Sequence, residues 1–300
     1  MPSGTKRIPR IPPGAPGHPR AEADPAPHRG PRPERKGREA SPHRTAAEGP
    51  PKRASARLIY EDEAILAFDK PVGLPVIAPE GSRARCLLDI ASEVVARKNP
   101  KGRAAVVHRI DRDTSGVVIF AVDGRVKRLL MEAWDELVTR RLYVALVEGS
   151  MEAGSGILDS WLKENRAGGV YRAEPGERGA KRAVTRWRVL AAGSRLSLLE
   201  LELETGRKHQ IRVQLADAGH AVAGDERYGS PKVPPRGLGR LCLHAAIIEL
   251  ELPGRGIVRI ESPPPPEFAA ALSPTWQQAW SSEPTSRRRP SGTNTRGRRR

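Results

Sequence analysis

The run His108-Arg109-Ile110-Asp111-Arg112-Asp113-Thr114-Ser115 packs polar side chains between two short apolar stretches, Val106-Val107 and Val117-Val118-Ile119-Phe120. Each polar group must find a partner or stay wet, so a sheet core gains nothing from such a string. A loop held between two buried strands is where reactive side chains are displayed. Asp111 sits just after the first stretch, and a carboxylate there could serve as nucleophile, general base or cation ligand. The structural alternative is that Asp111 and Asp113 are turn residues accepting backbone hydrogen bonds, with Thr114-Ser115-Gly116 closing the loop.

A second polar cluster, Thr205-Gly206-Arg207-Lys208-His209-Gln210-Ile211-Arg212, stands where a helix should begin. Backbone N–H groups and three cations there favour a bound anion. Arg109 and Arg112 flank the aspartate, and basic side chains beside a carboxylate favour its charged form and fix its orientation. For Arg207 and Lys208 a solvated surface and a phosphate contact are equally open. Arg212 follows Ile211 inside an apolar pattern, which predicts a buried partner. Tyr143, on a strand-like run with Ala145 on the same face, fits core packing, with base stacking as the functional alternative. His108, His209, His220 and His244 show no His-x-His, His-Glu-x-x-His or cysteine-paired spacing, so hydrogen-bonded structural roles are expected and no metal site is. His108-Arg109 followed by an aspartate partly matches a protein-kinase catalytic loop. That reading fails because Ile110 intrudes, no asparagine follows at the required place, and no glycine-rich nucleotide loop or Asp-Phe-Gly is present.

Positioning these side chains requires strands and helices in mixed order. Arg57–Tyr60 and Ala64–Phe68 flank the acidic turn Glu61-Asp62-Glu63 and predict a hairpin stopped by Lys70-Pro71. Helical spacing covers Leu87 to Arg97, and again Gly124 to Leu137 behind an Asp123 cap. Arg140–Val147, Ala183–Leu190 and Leu196–Glu204 read as strands, the last with one wet face. Thr205 is predicted to cap a helix from Arg207 to Ala218, ended by Gly219, with Ile211, Leu215 and Ala218 inward. His209 and Arg212 would then share a neighbouring face. Leu241–Leu243 and Ala246–Leu252 predict two more strands, and Pro266 to Trp280 a final helix. Several strands follow one another directly, so the expected class is α+β with a mixed, largely antiparallel sheet.

The 300-residue chain carries a net charge of +17, unevenly spread. Residues 1–56 hold thirteen prolines, no aromatic residue, and twelve Lys or Arg against five acids, a net +7. Residues 283–300 hold seven Arg against one Glu, a net +6, which leaves +4 for residues 57–282. Neither end can bury enough apolar surface to offset the entropy of ordering, so both are predicted to be disordered basic tails around one domain at 57–282. Arginine-rich tails attract polyphosphates through salt-sensitive, sequence-blind contacts, which points to nucleic acid ahead of an acidic protein or a membrane. A merely solubilising tail is the alternative. Two distant cysteines, Cys86 and Cys242, imply no disulfide framework. No apolar run approaches the roughly 20 residues that span a bilayer, and no signal peptide opens the chain, so a reducing, cytoplasmic setting is expected.

Taken together, His108-Arg109-Ile110-Asp111-Arg112-Asp113-Thr114-Ser115-Gly116 closely resembles the H-R-L-D-x-x-T-S-G signature of the RluA-type pseudouridine synthases, which isomerise uridine in structured RNA. Tyr60 to Glu63 with Asp69 to Val76 is similar to the family's opening hairpin, Arg141 to Val147 to its tyrosine strand, and Thr205 to Val213 with Gly219-His220 and Gly224-Asp225 to its later signature. Leu241 to Ala245 fits its closing segment. Departures are mild: Ile110 for leucine, Arg141 where lysine is frequent, and Gln214 where histidine is common. Many relatives carry an S4-type RNA-binding domain before the catalytic part, and none is expected here.

The resemblance implies a catalytic Asp111 beside C1′ of the target nucleotide, Arg212 paired with it, and Tyr143 against the uracil face. Attack at C1′ and removal of a ribose proton both remain open for the carboxylate. A base inside a helix must be flipped out to react, and Arg109 is the family-matched residue to fill the gap or hold the RNA. Arg207, Lys208 and His209 are expected RNA contacts. No cofactor is required, the partner is a structured ribosomal or transfer RNA, and a monomer is the default. The rivals are an inactive RNA-binding or ribosome-assembly factor on the same fold, and a metal-assisted RNA hydrolase using Asp111, Asp113 and histidines.

Overall fold

The computed structural model describes residues 55–229 and 238–270. The predicted tails, apart from residues 55–56, and the last predicted helix beyond residue 270 lie outside the described residues. The chain opens with the expected hairpin, β1 (Arg57–Glu61) and β2 (Ile65–Lys70), then α1 (Leu87–Lys98), the two-residue β3 (Ala105–Val106) and β4 (Ser115–Ala121). Next come α2 (Gly124–Glu132), α3 (Trp134–Leu137) and β5 (Val138–Glu148). The hairpin-rich part follows as β6 (Ser155–Glu164), β7 (Val170–Ala173), β8 (Lys181–Ala192) and β9 (Leu196–Leu203). The described chain ends with α4 (Gln210–Asp217), β10 (Leu243–Leu252), β11 (Gly256–Glu261) and α5 (Pro266–Ala270).

All the strands among the described residues join one mixed sheet ordered β1-β2-β4-β10-β5-β9-β8-β6-β7, with β11 also on β10 and β3 on β4. Every pairing is antiparallel except β4 with β10, which confirms the largely antiparallel expectation. That single parallel contact lies at the mouth of the reactive loop, where Ser115 and Gly116 pair with His244 and Ala245. Gly116 has φ +107°, and a Cβ there would sit 2.1 Å from the Ala245 carbonyl oxygen, so only glycine lets the strands meet. β4 is buried on both faces, as its unbroken apolar run requires of a central strand.

Four expectations change. The helix expected from Gly124 to Leu137 begins at the Asp123 cap, whose Oδ1 accepts the Arg125 and Val126 N–H groups at 2.8 and 2.9 Å, but it breaks at Ala133. Without a Gly or Pro to cause it, the break accompanies a tertiary contact in which the Trp134 ring lies 5.3 Å from that of His108. The expected helix from Arg207 starts three residues later, because Thr205 does not cap it. Its Oγ1 accepts the Val184 N–H at 2.9 Å and donates to Gln210 at 2.8 Å. Ala218, expected inward, is exposed, while Gln210 to Leu215 are buried all round. The two strands expected after Leu241 are one, with a register shift between Ala245 and Ile247. On β9 the wet face begins after Leu199, as the alternation from Leu199 onward predicts, and Leu196 to Leu199 are buried on both sides.

Candidate active site

Loop 107–114 is pinned at several points. Val107 and Ile110 are buried, Ile110 in the core with Leu66, Phe68 and Phe120. The His108 ring accepts the Ile119 N–H at 2.9 Å, and burial drives its pKa down to about 3, so it remains a neutral acceptor. The Thr114 N–H closes on the Asp111 carbonyl at 3.2 Å. Lys70, wholly buried at the end of β2, donates from Nζ to the carbonyls of Pro71, Leu74 and Arg112 at 3.0, 2.8 and 2.8 Å. Burial pulls its pKa down to about 7, while three carbonyl acceptors match the three donors of an ammonium group.

Held this way, Asp111 lines a cleft of about 820 Å³ and keeps its side chain 24% exposed, enough for a substrate to touch it. Its cation comes from α4, 101 residues away: Arg212 Nη1 donates to Oδ2 at 3.2 Å. Arg112, expected to attend Asp111, turns instead to Asp113 at 3.0 and 3.2 Å. The buried partner predicted for Arg212 is Asp225, which accepts from Nε and Nη2 at 2.7 and 2.8 Å. Burial alone would raise the Asp225 carboxyl, but Arg212 and the N–H groups of Tyr228 and Arg227 bring it below the usual carboxylate range. The guanidinium also lies 5.1 Å from the centre of the Tyr228 ring. Two carboxylates therefore share one fixed arginine, and the fully buried one sets the direction in which it offers Nη1 to the other.

Tyr143 lines the same cleft from β5, packed at the junction of two hydrophobic clusters. Burial raises its phenol to about 12, so the ring stays neutral. Arg109 is exposed on the cleft lining, and Arg207, Lys208 and His209 complete it. All seven predicted site residues thus meet in one place. Six of its lining residues are Arg or Lys (109, 112, 141, 207, 208 and 212) against the single carboxylate of Asp111. Lys208 is paired with Glu164, and Arg207 Nε donates to the Arg182 carbonyl at 3.1 Å. Sequence reasoning missed the roles of Lys70, Asp225, Tyr228 and Trp134, because each acts on a group far from it in the chain. Asp225 carried one signal, its place after Gly224 in a segment already matched to the family.

Among the described residues no three His, Cys, Asp or Glu side chains converge to hold a metal, and no helix is long and apolar enough to cross a membrane.

Residues 64–217 match the family described as RNA pseudouridylate synthase. The chain is 34% identical over 191 residues to "Uncharacterized RNA pseudouridine synthase YhcT" of Bacillus subtilis, covering 63% of this chain and 61% of that one. It is 34% identical over 224 residues to "Ribosomal large subunit pseudouridine synthase D" of Nitrosomonas europaea, covering 72% of this chain and 64% of that one. It therefore spans a little under two thirds of the length of these relatives. In fold it is similar to the solved "Human RNA Pseudouridylate Synthase Domain Containing 1", with a TM-score of 0.58, 22% sequence identity, and coverage of 79% of this chain and 99% of that one. With the signature loop, the tyrosine strand and the arginine helix converging on one cleft, this chain belongs to the RNA pseudouridylate synthase family.

Proposed function

We propose that this protein isomerises uridine to pseudouridine in structured RNA, ribosomal RNA foremost, with Asp111 opening the glycosidic bond. The observation that carries the proposal is a single accessible carboxylate, fixed by Arg212 in a cleft whose other charged lining residues are Arg and Lys. The reaction breaks the C1′–N1 bond and forms C1′–C5. The uracil gains a proton at N1 and loses one from C5, so nothing is consumed and no redox partner is needed. Asp111 contributes by attacking C1′ or by taking a ribose proton. Arg212 holds the carboxylate in the required direction, and the neutral Tyr143 ring offers a face for the extruded uracil. Arg109, Arg207 and Lys208 supply positive charge along the path of the phosphates, with Arg109 at the position suited to hold the RNA where the base has left. Asp113, needed by a metal-assisted hydrolase, is engaged by Arg112 instead. The RNA substrate and two free, buried cysteines fit the cytoplasm.

The test is a transcriptome-wide map of pseudouridine in cells with and without the protein. Loss of one or a few uridine modifications in large-subunit ribosomal RNA is expected. Losses confined to transfer RNA would move the substrate there, and an unchanged map would overturn the assignment.

The basic ends extend the same reading. They carry +13 of the net charge, so removing residues 1–56 and 283–300 is expected to weaken RNA binding and flatten the slope of log Kd against log salt. The effect should be large at low to moderate salt and shrink as salt rises, because added ions screen the contacts. Filter-binding titrations across a salt series check this, and identical slopes for the two chains would count against it.

A further inference from the structure

His209 is the only non-glycine residue with positive φ (53°) among the described residues. It occupies that unfavourable backbone region at the entry to α4, a place where strain persists only when surrounding contacts over-determine it. The contacts are specific. His209 Nδ1 lies 2.7 Å from the Tyr228 hydroxyl, whose oxygen also accepts the Val170 N–H at 3.0 Å. The oxygen already accepts one N–H, so the hydroxyl's own hydrogen needs an acceptor, and Nδ1 is the atom it faces; we assign the ring proton to Nε2 because only that tautomer satisfies both groups. Nε2 is 3.8 Å from Asp111 Oδ1, the oxygen that Arg212 does not bond.

We propose that His209 is a positioning residue for Asp111, presenting a neutral Nε2–H to the second carboxylate oxygen in a tautomer fixed by Tyr228. This rests on the assignment of Asp111 above, and it replaces direct RNA contact as the role of His209. The carboxylate then has a donor facing each oxygen, Arg212 bonded to Oδ2 and the His209 Nε2 beside Oδ1 at 3.8 Å, beyond hydrogen-bond length, and only one of the two is a full cation. Its electron density stays available to C1′ or the ribose proton, whereas an imidazolium would pair with it and compete with the substrate.

The groups around the ring support a neutral state. Burial disfavours the imidazolium first, Asp111 opposes that effect, and Arg212, Lys208 and Arg227 reinforce it, so the net shift is downward. Glu164 on β6 is drawn off by Lys208, and Tyr228 faces the other ring nitrogen.

The experiment compares His209→Leu, His209→Gln and Tyr228→Phe with the parent for kcat, KM and the pH dependence of pseudouridine formation, alongside thermal melting and Asp111→Asn as reference. The Leu and Gln variants share the same backbone strain, so their difference reports the side chain alone. Only Gln can place an N–H donor near the Nε2 position. Expected is a loss of about tenfold or more in kcat for His209→Leu with KM little changed, partial rescue by Gln, and a Gln variant whose activity holds to lower pH than the parent's. Tyr228→Phe should lower kcat in the same direction. A His209→Leu enzyme with parental kcat and pH profile, or with a raised KM alone, would overturn the proposal. So would Gln that rescues nothing in a folded protein. An active Asp111→Asn would instead overturn the underlying assignment.

Discussion

Replacing Asp111 by Asn should yield a protein that melts close to the parent and makes no detectable pseudouridine, a loss of at least about 10³-fold. The amide has the carboxylate's size, and its oxygen can still accept from Arg212 Nη1. It carries no charge, however, and can neither attack C1′ nor take up a ribose proton. The fold should tolerate the change because Asp111 is partly solvated and Arg212 keeps its second and better partner, Asp225. Single-turnover assays with a uridine-containing RNA fragment, together with a thermal melt and an RNA-binding curve, separate lost chemistry from lost structure. Retained binding with absent turnover is the expected combination.

Arg212→Met is expected to fail differently, losing stability as well as activity. The Asp225 side chain is 0% exposed, and among the described residues Arg212 is its only charged hydrogen-bond partner. Removing one member of such a pair leaves an uncompensated charge and typically costs about 3–5 kcal/mol. The pH dependence has a definite sign. In the parent the folded-state pKa of Asp225 is depressed, so its contribution to stability is present above the unfolded carboxylate pKa and lost as pH falls through the folded value. In the variant, burial is no longer opposed by the guanidinium, and the folded-state pKa rises. The penalty then applies at neutral pH and fades in acid, where a protonated carboxyl is neutral. Denaturant melts from pH 4 to pH 8 should show the gap between the two proteins widening as pH rises. Adding Asp225→Asn should recover part of the stability and none of the activity, because Asp111 still lacks its cation.

Much of this arrangement was legible in the chain, for reasons that can be traced to particular residues. The Val117–Phe120 run reads as a buried strand, and the string of polar residues before it as a loop displaying its side chains, which is how β4 and loop 107–114 are built. The spacing of Ile211 and Leu215 put Arg212 on a helix with a buried environment, which correctly anticipated a buried partner but not its identity. Asp225 could not be deduced, since which carboxylate reaches a given guanidinium depends on the turn that follows α4. Thr205 illustrates the limit of local capping rules. A residue type suited to an N-cap was taken up by the β8 backbone at Val184, and the helix began at a strained His209 instead. The break at Ala133 has the same origin in a long-range contact, Trp134 on His108, that no periodicity encodes. The pairing of Arg112 with Asp113 is a choice between its two chain neighbours, Asp111 and Asp113, which no spacing rule distinguishes.

The most direct test of the account is a structure of the protein bound to an RNA fragment that carries its target uridine, refined well enough to place the ribose against residue 111. The account predicts the nucleotide extruded from its helix, with a carboxylate oxygen of Asp111 about 3–3.5 Å from C1′ or from the carbon bearing the ribose proton it removes, and Arg212 still bonded to the other oxygen. A target base left stacked in its helix, or a sugar seated in the cleft with its reactive face turned away from Asp111, would contradict it.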